Sequence, residues 1–167
     1  MSSFEIGWYI IYTKPRQEKK LFTDLEHMGI ETYLPVINEK RKWQDRIKII
    51  TSPLFPSYVF VKLKNHIQFF SSSKARGFVS YVKIGKKLAS VRDCVIENIE
   101  LAISDANNFE VSNELFPLGK KMIIPNGAFS GLGCEIVNHR GKNKVLIRID
   151  LLNRCILVSL SRDMLSA

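Results

Sequence analysis

With 167 residues, 46% of them hydrophobic and 25% charged, the chain is too apolar for intrinsic disorder and is sized for one domain or two small ones. Its longest apolar run, Trp8–Tyr12, falls far short of the ~20 residues that span a bilayer, and no basic-then-apolar leader opens the sequence, so a soluble, cytoplasmic protein is expected. Lys and Arg number 25 against 16 Asp and Glu, a formal charge of +9 at pH 7, which points to a polyanionic partner unless it serves solubility alone.

Trp8–Tyr12 is aromatic and β-branched without polar alternation, the pattern of a strand buried on both faces, so Trp8, Tyr9 and Tyr12 are read as core. Leu21, Leu25 and Met28 then recur at helical spacing between Pro15, which suits a first helical turn, and Gly29, which suits a left-handed stop. This spacing predicts a helix over Pro15–Met28. Ile30–Leu34 reads as a short strand, and residues 38–52, with five basic residues, as an exposed hairpin or loop. Two prolines brace the turn Pro53–Ser57. It feeds the strand Tyr58–Leu63, with Tyr58 and Phe60 on one face and Val59 and Val61 on the other.

Asn65 suits the cap of a short helix through Ser73, and Val79–Ile84 reads as a strand closed by Gly85. Ser90 and Asp93 have capping-box spacing ahead of a helical stripe, Val95, Ile99, Ala102 and Ile103, that runs to about Ala106. Residues 107–117 lack a period and read as a linker. From Leu118 short strands alternate with turns: Met122–Ile124, the glycine-bearing Asn126–Gly133, Glu135–Val137, a turn at Asn138–Asn143, Val145–Ile149 and Cys155–Val158. That grammar belongs to a small barrel. The expected architecture is α+β: an antiparallel sheet with flanking helices over 1–106, a linker over 107–117 and a β-barrel over 118–167.

Catalysis finds little support. His27, His66 and His139 are dispersed, and no nucleophile motif, metal-binding helix or phosphate loop is present. Cys94, Cys134 and Cys155, odd in number and without a CxxC pair, fit neither a disulfide framework nor a zinc site and are read as reduced and mostly buried. No enzyme, cofactor or metal is indicated.

Three groups of residues could carry interactions. Phe55, Tyr58 and Phe60 are either core or an exposed apolar patch of the kind that marks a protein partner. Lys14, Arg16, Lys19 and Lys20 crowd a helix start, where cations are misplaced unless an external phosphate compensates. In Lys40–Arg46, Arg41, Lys42 and Arg46 surround Trp43, a composition that grips single strands through backbone charge and base stacking, unless Trp43 packs inward.

WYIIYTKPRQEKKLFTDLEHMGIETYLP followed by SPLFPSYVFV resembles the N-terminal domain of the NusG family of transcription elongation factors. IIPNGAFSGLGCEIV followed by VLIRIDLLNRCILVSL resembles that family's C-terminal KOW domain. Within the family, WYIIYTKPRQ and RKWQDRIKIITSPLFPSYVF are similar to operon-specific antiterminators related to RfaH, above all the UpxY type that controls capsular polysaccharide loci. The resemblance implies that Phe55, Tyr58 and Phe60 dock on the clamp helices of RNA polymerase. It implies further that Lys14 and Gln17 meet the non-template or upstream DNA, and that Gln68–Ser71 lies where relatives touch the polymerase gate loop.

In the KOW domain, Leu152 and Arg154 match positions that bind ribosomal protein S10 or the termination factor Rho, against a plain hairpin turn as the simpler role. Some relatives of RfaH refold this domain as helices. Here the β-branched content of Val145–Ile149 and Cys155–Leu160 predicts a permanent barrel. The expected protein is a monomeric elongation and antitermination factor that suppresses pausing. The rival class is a KOW-containing RNA-binding or ribosome-associated protein.

Overall fold

The computed structural model describes residues 4–104, 109–112, 119–123, 133–149, 152 and 154–159. The chain divides into two compact units, Met1–Asp93 and Cys94–Ala167. The first runs, in order, β1 (Gly7–Thr13), α1 (Glu18–His27), β2 (Glu31–Tyr33), β3 (Val36–Lys42), β4 (Ile47–Pro53), β5 (Tyr58–Leu63), α2 (His66–Ser72), β6 (Phe78–Tyr81), β7 (Lys83–Ile84), β8 (Lys87–Leu88) and β9 (Ser90–Val91).

β1 is the centre of an antiparallel sheet ordered β2-β5-β1-β6, with β9 also on β1. Trp8, Tyr9, Ile10 and Ile11 are all buried, as the unbroken apolar run predicts. The pairing of β1 with β5 sets Ile10 opposite Phe60 and Tyr12 opposite Tyr58. Because side chains alternate across a strand, Tyr9, Ile11, Val59, Val61 and Leu63 share one face and pack with Leu21 and Leu25 of α1, Ile30, Ala75 and Tyr81. Trp8, Ile10 and Phe60 fall to the other face, where Phe55 meets Phe60 edge-on with ring centroids 6.2 Å apart. Burial pushes the Tyr81 phenol up to about 12, although its hydroxyl bonds Ser72.

Several local expectations shift. α1 starts at Glu18, three residues later than predicted, because Arg16 adopts φ 64° and turns the chain, with the Gln17 N–H donating to the Lys14 carbonyl at 3.1 Å. The fixed φ of Pro15 serves this turn as readily as a helix start. Ser90 is no helix cap: it lies in β9 opposite Tyr9, and α3 (Asp93–Ser104) begins beyond it. The stretch Val79–Ile84 splits into β6 and the small hairpin β7–β8, which turns at Gly85 with φ 61°. Tyr12, read as core, is 39% exposed at the end of β1, and Cys94, read as buried, is free and exposed. As expected, Asn65 caps α2, accepting the Gln68 N–H at 2.8 Å.

In the second unit, α3 buries Ile96, Ile99 and Ala102, one face at helical spacing. Five strands follow: β10 (Phe109–Ser112), β11 (Lys120–Ile123), β12 (Gly133–His139), β13 (Lys142–Ile149) and β14 (Arg154–Ser159). They form an antiparallel sheet ordered β10-β14-β13-β12-β11 around Val137, Leu146 and Leu157. β10 falls inside the stretch read as a linker, recruited by pairing with β14. Arg140 and Gly141, at φ 53° and 77°, make the tight two-residue turn that suits the twist of β12 and β13. Of the β-branched segments expected to be strands, Val145–Ile149 lies in β13 and Cys155–Ser159 in β14, Leu160 lying outside the described residues; among the described residues no pairing joins β10 to β11. Most of Asn126–Gly133 lies outside the described residues; Gly133 opens β12.

Phe60 is wholly buried at the middle of the β1–β5 pair, so Phe60→Ala should cost about 3–5 kcal/mol. Urea denaturation should show this as a lower midpoint with an unchanged slope.

Candidate protein and nucleic-acid interface

Three loops meet where β1 ends. Thr13 is fully buried there: its N–H donates to the Ser57 carbonyl at 2.9 Å and its hydroxyl to the Gly77 carbonyl at 2.7 Å. The Lys14 N–H donates to the same Gly77 carbonyl at 2.9 Å. Lys14, Pro15 and Arg16 are exposed on this tied-down turn, Gln17 is half-buried beside Gly77, and neither Lys14 nor Arg16 forms an ion pair among the described residues. Lys19 is placed differently. It is exposed, but its ammonium donates to the Thr51 carbonyl of β4 at 3.0 Å, so part of its role is to anchor that strand.

Arg76, beside Gly77, is not a free cation either. Its guanidinium grips Asp24 of α1 at 2.6, 2.9 and 3.2 Å, and its backbone N–H adds a further bond at 3.0 Å. These hydrogen bonds hold the Asp24 carboxyl well below the usual carboxylate range.

β3 and β4 form a separate two-stranded ribbon, paired from Val36–Pro53 to Lys42–Ile47. Its tip closes where Trp43 and Arg46 exchange backbone hydrogen bonds at 2.9 and 3.3 Å. Five basic residues stand against two acidic ones between Glu39 and Lys48. The Trp43 indole is 62% exposed, so it does not pack inward. Trp43, Gln44, Asp45 and Arg46 line an open hollow of ≈ 350 Å³, and Arg41 and Lys42 stand exposed just below it. Arg41 shares its charge with Glu39 at 3.3 Å. Isoleucines 47 and 49 are exposed on the same face as Lys40 and Lys42.

The aromatic trio does not form an exposed patch. Phe55 and Phe60 are 1% and 0% exposed, because strand alternation and the proline-braced turn both aim them into the interior. Only Tyr58 of the three reaches the surface, half-buried, and it packs on the exposed Tyr12 ring at 5.5 Å. Sequence reasoning missed Tyr12; its place at the strand end, opposite Tyr58 in register, was the available signal. On α2, Ile67 and Phe70 are exposed while Phe69 turns inward against Tyr81.

In the second unit Leu152 is buried, so its side chain presents no partner surface, and the backbone of Arg154 pairs with Ile149 at the start of β14. Of the titratable residues expected at the surface, His27 and His66 are exposed, His66 lying against Phe4 with ring centroids 4.7 Å apart. No His, Cys, Asp and Glu cluster able to hold a metal occurs among the described residues. No helix among them is long and apolar enough to cross a membrane.

The protein family described as "Transcription termination factor nusG" matches residues 7–100, more than half of the chain. The chain belongs to the NusG family. These are non-catalytic transcription factors, so the chain is no enzyme, and its general role is the family's, in transcription elongation and antitermination. The "Transcription termination/antitermination protein NusG" of Lactococcus lactis subsp. lactis (strain IL1403) is 24% identical over 171 residues, covering 95% of this chain and 91% of its own. The solved structure "Domain interaction in Thermotoga maritima NusG" is 23% identical, covers 97% of this chain and 98% of its own, and superposes with a TM-score of 0.49. For the MjSpt4:Spt5 complex the values are 15%, 92%, 99% and 0.29.

Two outcomes follow from this geometry. If the ribbon tip stacks on an unpaired base, Trp43→Ala should weaken binding to a single-stranded oligonucleotide by about 1–3 kcal/mol, read by fluorescence anisotropy, and leave the unfolding midpoint unchanged because the ring is exposed. Asp24→Asn should lower the melting temperature slightly at neutral pH, because the Arg76 end of the pair is exposed to solvent although Asp24 is largely covered. The folded carboxyl binds its proton less readily than the unfolded one, so this stabilisation is present above about pH 4 and is lost as the pH falls further. Melting curves of the two proteins should therefore converge only in strong acid.

Proposed function

We propose that the chain docks on the clamp helices of RNA polymerase and guides upstream or non-template DNA, acting as an operon-specific antiterminator of the kind that resembles RfaH and the UpxY regulators. Tyr58 and its neighbour Tyr12 form the contact, while Phe55 and Phe60 shape the surface from beneath. Lys14, Arg16 and Gln17, with Lys19 as a secondary contact, lie along one path for the DNA backbone. Arg41, Lys42, Trp43 and Arg46 at the ribbon tip provide charge and a stacking face for an unpaired base. The single observation that carries the reading is that the family match over residues 7–100 takes in the tyrosine pair, the basic turn and the ribbon together.

In this reading the five strands of the second unit belong to a KOW barrel that recruits another partner, ribosomal protein S10 or Rho, near Arg154. The domains divide as 1–106 and 118–167, with β10 of the intervening stretch adding its strand to the second domain's sheet, and the protein acts as a cytoplasmic monomer. Holding the clamp closed opposes the opening that accompanies pausing, and the effect is bounded by the factor's differential affinity for the two clamp states.

Tyr12→Ala with Tyr58→Ala should abolish capture of core RNA polymerase and the relief of pausing in a purified transcription assay, while the circular dichroism spectrum stays native. Capture retained by the double variant would remove the tyrosine pair from the interface. Salt-sensitive binding of structured RNA by a wild-type protein that captures no polymerase would establish the rival class.

A further inference from the structure

The Glu18 carboxylate is only 5% exposed, yet carboxylates are rarely buried without a partner that needs them. Its Oε1 accepts the Ser57 N–H at 2.8 Å. Ser57 is no ordinary turn residue: it holds φ 68° without being glycine and directly precedes Tyr58. Its carbonyl, in turn, accepts the Thr13 N–H. Thr13 and Lys14 then both donate to Gly77, which has φ 85° and no room for a side chain, since an added Cβ would lie 2.8 Å from the Gln17 Cβ. Arg16, at φ 64°, is the second left-handed non-glycine residue in the same assembly. Left-handed backbone at such residues persists only where the surroundings over-determine it.

We infer that Glu18 is a positioning residue that holds the Ser57–Tyr58 corner and the Lys14–Gln17 turn in one frame, so that the aromatic contact and the basic turn are presented together. Glu18 stands in the first turn of α1, directly after the basic turn, and reaches across to the loop that launches β5. The α1 N-terminus favours its negative charge there. The chain of bonds Glu18–Ser57–Thr13–Gly77–Lys14 closes around the buried Thr13 side chain. Removing the carboxylate frees the Ser57 N–H, and the corner loses the bond that holds its left-handed conformation. Thr13 and Lys14 then lose their fixed acceptors.

What the frame presents rests on the proposed function; the frame itself does not. Amide hydrogen exchange on the full chain therefore judges it without any partner. Glu18→Ala should speed exchange at Ser57, Thr13 and Lys14 at least tenfold while Ile11 and Val61 in the sheet keep their protection. Glu18→Gln, which retains an acceptor for the Ser57 N–H, should restore all three. Acceleration confined to Ser57, or a uniform rise that includes Ile11 and Val61, overturns the inference, because the first denies the linkage and the second leaves only a loss of overall stability. Should Glu18→Ala fail to fold, Gly77→Ala strains the same frame from its far side and should speed Ser57 exchange; unchanged Ser57 protection there overturns it equally. With wild-type protein that captures core polymerase and binds a single-stranded oligonucleotide, Glu18→Ala should weaken both about tenfold and Glu18→Gln should recover both. Wild-type protein that captures neither removes the functional reading and leaves the exchange result to stand by itself.

Discussion

The antiparallel pairing of β1 with β5 is the constraint on which the rest depends. Six residues of each strand face one another in unbroken register, and the side chains of both are buried on two faces over most of that length. A slip of one residue would carry Tyr9, Ile11, Val59 and Val61 out of the helix-covered core, so the register is strongly specified. The same register delivers Tyr12 and Tyr58 to the rim as a tilted ring pair and leaves Thr13 at the junction of three loops. Surface and core are thus set by one pairing.

That economy explains what the sequence could and could not reveal. The strand character of Trp8–Tyr12 and Tyr58–Leu63 was legible because long β-branched and aromatic runs leave few alternatives, and the ends of α1 were marked by Pro15 and Gly29 to within a few residues. The fate of an aromatic ring was not legible. Phe55, Tyr58 and Phe60 share composition and neighbourhood, yet two are sunk in the interior and one reaches the rim. The difference comes from strand ends and from where the proline-braced turn points its side chains, and both are properties of the tertiary arrangement. Tyr12 was misplaced for the same reason, since its run of neighbours reads as core although the strand ends at its side.

In the second unit the turns were legible and the pairings were not. Gly141 announces the tight turn between β12 and β13, whereas β10 has only Phe109 and Val111 to signal a strand in a polar stretch, and it becomes one through its partner β14. A similar limit applied to Ser90, whose spacing to Asp93 suits a helix cap but whose backbone is claimed by the edge of β1. Pairing with an open strand satisfies two backbone groups, more than a cap does.

The basic ribbon raises a separate question of why it persists as an ordered arm. A two-stranded hairpin in water is marginal by itself. This one is secured at its base, where the Leu54 N–H donates to the Pro35 carbonyl at 2.8 Å and Lys19 reaches across from α1 to Thr51. Strands of seven residues then carry Trp43 about 20 Å from that anchor, well beyond a Debye length of ~8 Å at physiological salt. In the proposed nucleic-acid role, charges at the tip would therefore act on a partner locally. Exposed Ile47 and Ile49 contribute nothing to this chain's own interior and leave an apolar strip beside Lys40 and Lys42, which in the proposed role would cover apolar base or sugar edges while the lysines attract phosphate. Lys19 belongs to this arrangement as a strut: its exposed ammonium, besides the phosphate contact that sequence reasoning assigned to it, donates to the Thr51 carbonyl of the arm that presents the other cations.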